Sequence, residues 1–341
     1  INSEGVITFS TAPDYESTTS FTATITATDG TFSDTQNITV NVTDIDDVAP
    51  VITSSASFSA VENQTSIGTV TATDVDSSST SFSVSGEGLS MSTSGVLTFS
   101  TAPDFETQSS YSGTVTATDG INSSAQSITV TVINVNEAPV FTSGTLYDAD
   151  ENQSAIGNVT ATDVDSSSLT YSVSGSELLM SNDGVLTFVS APDYETKSSF
   201  TATVTVTDGG LSVSQPITVT INNLNDNSPV LTSGTDFTID ENTSAVGTVS
   251  GSDADGDVLA YSISGTDADS LSIDSSTGVL SFNEITDYET KTSYSLNLII
   301  SDGVNSITNA ATISINNLND NSPIFSSAET FSIAENESSI G

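Results

Sequence analysis

Apolar and polar residues alternate with a period of two through most of the chain. In one representative stretch, residues 69–73, 81–85, 96–99, 112–118 and 127–133 put Val, Ile, Leu, Phe or Ala at nearly every second position, with Thr or Ser between. Such runs predict strands with one face buried and one in water. β-branched residues dominate them, and clusters of Gly, Ser, Asp and Asn separate them. No long stretch follows the 3.6-residue helical period. Six or seven short strands in about 90 residues predict a small two-sheet sandwich of immunoglobulin-like size.

The pattern repeats, and the repeat sets the domain organisation. Prolines 50, 139, 229 and 323 each end an oxygen-rich hinge, at 44–50, 134–139, 222–229 and 316–323. Four further markers recur in fixed order. An Asp-Tyr/Phe-Glu triplet begins at Asp14, Asp104, Asp193 and Asp287, and a strand ending in Asp-Gly follows at Asp29, Asp119, Asp208 and Asp302. After the hinge come Glu-Asn at Glu62, Glu151, Glu241 and Glu335, then Asp-x-Asp at 74–76, 163–165 and 253–255. Residues 51–139, 140–229 and 230–323 read as complete units. Residues 1–50 read as the C-terminal part of an earlier unit, and 324–341 as the N-terminal strand of a further one. Gly95-Val96-Leu97 with Phe99, repeated at 184–188 and 278–282, reads as a turn feeding a core strand. The rings of Tyr15, Phe105, Tyr194 and Tyr288 are expected to plug the sandwich end beneath the triplet.

Composition narrows the function. The 341 residues carry 44 carboxylates against two lysines, a formal charge of −42. That charge repels nucleic acid and anionic membrane surfaces, and it opposes compaction unless cations neutralise it. Disorder is the other common reading of extreme charge, and the regular alternation argues against it. Without cysteine, histidine or tryptophan, disulfides, thiolate chemistry, soft-metal sites and imidazole acid–base work are excluded. Absent cysteine leaves secretion open. No run approaches the roughly 20 apolar residues needed to span a bilayer, and no signal peptide is present. The chain starts and stops mid-pattern, which reads as a window on a longer array.

These markers in this order resemble the cadherin repeat. The family pattern runs through a strand bearing Glu, Asp-x-Asp, an acidic Asp-Arg-Glu-like segment, Ala-x-Asp-x-Gly and Asp-x-Asn-Asp-Asn-x-Pro. The third hinge, Asn223-Leu224-Asn225-Asp226-Asn227-Ser228-Pro229, departs from it by one Asn for Asp. The second is one residue shorter and keeps only Glu137 as a carboxylate, and the arginine of the triplet is replaced by Tyr or Phe throughout. The Thr/Ser-rich, arginine-free texture looks like the cadherin-like arrays of large bacterial secreted surface proteins and adhesins.

The resemblance implies an all-β tandem array of seven-stranded, immunoglobulin-like Greek-key β-sandwiches, with Ca2+ between successive repeats. Carried over, the first joint gathers Asp14, Glu16, Asp44, Asp46, Asp47, Asp74, Asp76 and Asp119. The second gathers Glu62, Asp104, Glu106, Asn134, Asn136, Glu137, Asp163, Asp165 and Asp208. The third gathers Glu151, Asp193, Glu195, Asn223, Asn225, Asp226, Asp253, Asp255 and Asp302. A fourth is half present in Glu241, Asp287, Glu289, Asn317, Asn319 and Asp320. Elementary chemistry agrees with this. Calcium takes six to eight hard oxygens at flexible geometry, and crowded carboxylates need counterions. Magnesium suits such sites poorly because it keeps its waters.

Taken singly, the markers say less. Asp-Gly is more often a hairpin turn than a ligand, Asp-x-Asp is usually a solvated loop, and Glu-Asn alone is uninformative. Their joint recurrence carries the inference. The leading expectation is a calcium-stiffened extracellular stalk or filament segment of a cell-surface adhesin. Its partners are then other repeats of the same chain or like chains, with surface glycans or another cell surface as further candidates, and with no nucleic acid and no membrane insertion. A carbohydrate- or homophilic-binding array is the alternative, disfavoured for sugars by the missing tryptophan and the core-like aromatic positions. An enzyme is not expected. Asp193 and Glu195 alone resemble a glycosidase pair, but the pair recurs in every unit with no cleft-building insertion. Donor-strand pairing of one chain's tail with another's head would still lack about 22 residues of a unit. Sequons at Asn37, Asn41, Asn63, Asn152, Asn158, Asn242 and Asn336 arise readily in so Thr/Ser-rich a chain.

Overall fold

The computed structural model describes residues 1–77, 79–327 and 329–339. Strands dominate, and the described residues hold one 3-10 turn, Ala268–Ser270, and no α-helix.

Residues 51–139 show how alternation becomes a sandwich. Ser110–Thr118 and Ser123–Ile133 form a long antiparallel hairpin. In the second of these, Ile128, Val130 and Val132 are buried while Ser127, Thr129 and Thr131 face water. Ser81–Ser85 pairs antiparallel along one side of the hairpin, and Ser57–Val61 pairs parallel along the other. The second sheet is Ser66–Thr69, Val96–Phe99 and Leu89–Met91, all antiparallel. A two-residue ladder joins Val51–Ile52 to Ala72–Thr73. The first strand is interrupted after Ile52 and the second after Thr69. Counting each once gives seven.

The expected strands at 81–85 and 96–99 are found as read, and those at 112–118 and 127–133 start earlier. The run at 69–73 breaks at Val70, whose N–H donates to the Gly95 carbonyl at 2.8 Å instead of joining the ladder. Leu89–Met91 has three residues, too few to show a period. Gly95 has φ +87°, and a Cβ there would meet the Val70 carbonyl oxygen at 2.4 Å. Gly184 and Gly278 repeat this against Val159 and Val249.

The same sheets recur twice. In residues 230–323 they are Asp236–Asp240, Ser306–Asn316, Ser293–Ser301 and Ala260–Ser264, then Ala245–Thr248, Val279–Phe282 and Leu271–Ile273. In residues 140–229 they are Leu146–Asp150, Ser212–Asn222, Ser199–Thr207 and Thr170–Val173, then Ala155–Asn158, Val185–Phe188 and Leu178–Met180. Residues 1–50 hold one hairpin, Ser20–Thr28 with Ser33–Asn41. Residues 324–327 and 329–339 form no strand, and residues 328, 340 and 341 lie outside the described residues. Elsewhere the corresponding segment, such as Ser57–Val61, pairs in parallel with the last strand of its own repeat. Among the described residues, 324–327 and 329–339 have no such strand beside them, and an isolated edge gains no ladder.

Backbone proximity groups the chain into two compact units. One comprises Ile1–Phe141, Ala161–Thr170 and Val206–Val213, and the other Thr142–Thr160, Tyr171–Thr205 and the chain from Ser214 on. Leu97, Phe99, Val115, Ile128, Val130 and Val132 form the core of the first, with Phe105 packed half-buried against it. Leu280, Leu298, Ile300 and Ile313 are fully buried in the second, where Tyr288 packs in the place of Phe105. Each such aliphatic or aromatic side chain contributes about 1.5–3 kcal/mol. The rings of Phe105 and Tyr288 thus pack against the sandwich core beside the acidic triplet, as their positions in the sequence imply.

Candidate cation sites at the hinges

The hinge chemistry is built on a buried glutamate. Glu62, Glu151 and Glu241 end the parallel edge strands and are 3%, 2% and 1% exposed. Glu151 accepts the N–H of Tyr194 on Oε2 at 2.8 Å and that of Leu224 on Oε1 at 2.7 Å. Glu62 holds Phe105 and Val135 in the same way, and Glu241 holds Tyr288 and Leu318. One carboxylate therefore ties the triplet to the hinge in each repeat. Charge-assisted bonds of this kind are the strong ones.

The asparagine beside each glutamate completes the tie. Asn63, Asn152 and Asn242 have φ of 61°, 62° and 63°, the left-handed region that Asn tolerates better than other non-glycine residues. Asn63 Nδ2 donates to Glu137 at 2.7 Å and Asn242 Nδ2 to Asp320 at 2.6 Å, and Asn152 Nδ2 donates to Asp226. These asparagines recur in the Glu-Asn marker but were not among the expected ligands, and their role is to bind the hinge carboxylate.

The aspartate of the triplet is a loop cap. Asp104, Asp193 and Asp287 each accept a threonine hydroxyl, at 2.9, 3.0 and 2.8 Å, and Asp14 accepts Ser17 Oγ at 2.8 Å. These bonds hold their carboxyls below the usual aspartate range. The glutamates two residues on are free to face the hinge. Lost solvation, then the charges of Glu62 and Asp165, raises Glu106, and lost solvation with Glu151 and Asp255 raises Glu195.

Asp-x-Asp divides its work. The first aspartate folds its own loop: Asp163 Oδ1 accepts the N–H of Asp165 at 2.9 Å, and Asp253 Oδ1 that of Asp255 at 3.0 Å. The second grips the hinge. Asp76 Oδ2 accepts the N–H groups of Asp47 and Val48, Asp165 Oδ2 that of Glu137, and Asp255 Oδ2 those of Asp226 and Asn227. The Asp-Gly aspartates divide likewise. Oδ1 of Asp119, Asp208 and Asp302 accepts the N–H groups two and three residues on, which is the turn, and leaves Oδ2 unpartnered in Asp119 and Asp302 and bonded to Asn136 in Asp208.

What remains are carboxylate oxygens that no donor reaches. Asp74 Oδ2, Asp76 Oδ1 and Asp119 Oδ2 near the first hinge are buried and unpartnered. So are Glu137 Oε2 and Asp163 Oδ2 near the second, and Asp253 Oδ2 and Asp302 Oδ2 near the third. Buried polar groups are almost always paired, and unpaired charge least tolerates burial. Hard oxygens gathered this way fit a hard cation. Carboxylate oxygens converge within 4.8 Å in Glu62–Glu106–Glu137, Glu151–Asp193–Glu195, Glu195–Asp226–Asp255, Glu241–Asp287–Glu289 and Asp253–Asp255–Asp257.

The first hinge is different. Among the described residues no three carboxylates converge there, and residues 1–50 hold no glutamate of the Glu62 kind. Asp46 is half-buried, with Asn122 Nδ2 donating to it at 3.3 Å, while Asp44 and Asp47 are exposed. Against its own backbone hydrogen bond, Glu16 is raised by lost solvation, by a side-chain hydrogen bond with Asp14 and by the charges of Asp14 and Asp44.

The asparagines expected as ligands present their amide nitrogens. Asn134 Nδ2 donates to Glu106 and Asp165, both at 2.9 Å, and Asn317 Nδ2 to Glu289 at 3.0 Å. Asn136 Nδ2 reaches Asp208 Oδ2 at 2.8 Å, Asn223 Nδ2 the Asp255 carbonyl at 2.8 Å, and Asn225 Nδ2 the Asp302 carbonyl at 3.4 Å. Asn319 is exposed. Asn227, not among the expected ligands, donates to Glu195 and Asp255. Donor nitrogens thus occupy the space between carboxylates that a cation would compete for.

A sandwich with acidic hinges of this kind defines the class. Residues 235–316 match the cadherin domain family, and residues 136–221 a bacterial Ig domain family. The chain is an array of cadherin-like tandem repeats. Protocadherin Fat 4 of Mus musculus is 36% identical over 138 residues, 36% of this chain and 3% of its own length. Protocadherin Fat 1 of Homo sapiens is 28% identical across 96% of this chain and 8% of its own. The chain therefore spans only a small part of these relatives. The crystal structure of the Protocadherin GammaB4 extracellular domain superposes with a TM-score of 0.70 and 27% identity, over 94% of this chain and 58% of that one. Among the described residues no helix is long and apolar enough to cross a membrane.

Proposed function

We propose that the chain is a calcium-stiffened extracellular array, a stalk or filament segment of a cell-surface adhesin, with repeats at 51–139, 140–229 and 230–323. The observation that carries this is the set of buried, unpartnered carboxylate oxygens recurring at the same positions of each repeat, Asp74, Asp163 and Asp253 foremost. When bound, calcium supplies the positive charge these oxygens lack. The protein's own residues do the rest. Glu62, Glu151 and Glu241 fix the hinge against the triplet of the repeat before it. Asp76, Asp165 and Asp255 hold the hinge backbone from the repeat after it. Glu106, Glu137, Asp163 and Asp208 would hold the ion at the second hinge. Glu195, Asp226, Asp253, Asp255 and Asp302 would do so at the third. The fourth hinge carries part of the same set in Glu241, Asp287 and Glu289, and the first would rely on Asp74, Asp76 and Asp119.

With the cation removed, like charges face one another across each hinge and loosen it. The partners that fit are further repeats of a longer chain and like chains. Phe99 with Tyr111, Phe188 with Phe200 and Phe282 with Tyr294 pair ring against ring at 4.6–5.0 Å, which makes these aromatics poor platforms for a sugar.

The test is a calcium titration of the whole chain by calorimetry, with small-angle scattering in calcium and in EDTA. Heat at several sites and a scattering profile that changes on chelation are expected. No heat and an unchanged profile would refute the proposal.

A further inference from the structure

The loop after the third hinge reads Asp253-Ala254-Asp255-Gly256-Asp257, whereas the second repeat has Asp163-Val164-Asp165-Ser166-Ser167 and the first has serine at 78. Asp257 has no counterpart in the other repeats, and the family pattern did not single it out. Asp253, Asp255 and Asp257 are half-buried while Ala254 and Gly256 between them are exposed, so the three carboxylates share one side of the loop. One oxygen from each lies within 4.8 Å of the others. Gly256, at φ +83° in open space, provides the turn that brings Asp257 back towards Asp253.

Crowded acids alone make no site, and the independent observation is Asp302. It comes from the far hairpin, is 9% exposed, and its Oδ2 has no donor. Asn305, three residues on, donates to Asn225 Oδ1 at 3.4 Å and to the carbonyl of Asn227 at 3.3 Å, and Asp255 holds the Asn227 N–H, so the Asp302 turn and the 253–257 loop grip the same hinge residues. At the second hinge the equivalent oxygen, Asp208 Oδ2, is already taken by Asn136 Nδ2 at 2.8 Å. The two hinges therefore differ at two positions: the third has a carboxylate at 257 where the second has Ser167, and its Asp302 Oδ2 is free where Asp208 Oδ2 is bonded, while Asp163 Oδ2 and Asp253 Oδ2 are buried and unpartnered in both.

We propose that Asp257 makes the loop after the third hinge the tightest calcium site of the chain, held by Asp253, Asp255, Asp257 and Asp302, so that this hinge keeps its cation after the second has lost it. The inference rests on the calcium reading above and assigns it an order. Affinity in oxygen sites rises with the number of charged ligands. An array graded in this way softens first at one chosen hinge as calcium falls.

The experiment follows backbone amide exchange of the full chain against free Ca2+, reading peptides over 253–257 and 163–167 separately. In the native chain the 253–257 loop is expected to gain protection at about tenfold lower Ca2+ than 163–167. Asp257→Ser should bring the two midpoints together, and Ser167→Asp should shift the 163–167 midpoint to lower Ca2+ with 253–257 unmoved. Equal midpoints in the native chain, or a 253–257 midpoint unmoved in a folded Asp257→Ser chain, would overturn the proposal while leaving the calcium reading intact. Absence of any Ca2+-dependent protection would overturn both. Should Asp257→Ser not fold, the native midpoints and Ser167→Asp still decide.

Discussion

Asp255 holds Asn227 twice. Its Oδ2 accepts the Asn227 backbone N–H and its Oδ1 the Asn227 side-chain amide, both at 2.8 Å. A loop of one repeat thereby clamps the hinge that leads into it. At the first hinge Val48 occupies the equivalent position and offers only its backbone N–H, to Asp76 at 2.8 Å.

The clamp can be tested by hydrogen exchange. Asp255→Ala removes the acceptor for the Asp226 and Asn227 amides. In EDTA these amides are expected to exchange faster by about an order of magnitude, the factor that loss of a charge-assisted hydrogen bond implies. Asn227→Ala, which keeps the backbone bond, should accelerate them much less. Equal effects would mean that the side-chain amide carries the clamp.

Glu241 is the sharper stability test. Both its oxygens accept backbone N–H groups, from Leu318 at 2.7 Å and Tyr288 at 2.8 Å. Glu241→Gln keeps the shape but turns an NH2 towards one of those donors. A loss of about 2 kcal/mol in the unfolding of the third repeat is expected in urea, from one bond lost and one buried donor left unpaired. A glutamine variant as stable as the parent would show that the carboxylate charge is immaterial there.

Acid should affect the calcium-free chain in two opposite senses. Glu106 and Glu195 have values raised above the ordinary 4.5, so the folded state binds their protons more tightly than the unfolded chain does. Their stabilisation is complete below 4.5 and is lost as pH rises through the folded values. Asp165 is lowered from 3.8, first by the Glu137 N–H, and Asp255 first by the Asn227 amide. Their stabilisation is present above 3.8 and is lost as pH falls through the folded values. Melting temperature in EDTA should therefore peak in mild acid, near about pH 4–5. With calcium bound the peak should move towards neutrality, because protons and the cation compete for the same oxygens. A melting temperature in EDTA that rises steadily to pH 7 would contradict this.

Gly184 offers a control away from the hinges. It sits at φ +87° with the Val159 carbonyl oxygen 2.3 Å from where a Cβ would lie. Gly184→Ala should destabilise the chain by about 2–4 kcal/mol through clash and left-handed strain, while calcium affinity at the third hinge stays unchanged. Thermal melting and calorimetry on the same sample read the two effects apart.

Much of this protein was legible from residue order alone. Alternation over 81–85 and 96–99 marked strands to the residue, because a one-residue slip would turn Leu97 and Phe99 out of the core. Recurrence of Asp-x-Asp, Asp-Gly and the hinge prolines marked where carboxylates gather, because acids that meet in space in every repeat recur at matched spacing. Tertiary structure alone decided how each acid divides its oxygens. The sequence of Asp302 with Gly303 cannot distinguish a turn cap from a ligand, and only the packed hinge shows Oδ1 capping the turn while Oδ2 remains buried and free. Nor could local sequence reveal that Glu151 spends both oxygens on backbone donors from Tyr194 and Leu224, for those donors are brought to it by long-range pairing. Residue types are written in the chain, but the partners of a carboxylate depend on which distant backbone the fold sets against it, and that choice is made in three dimensions.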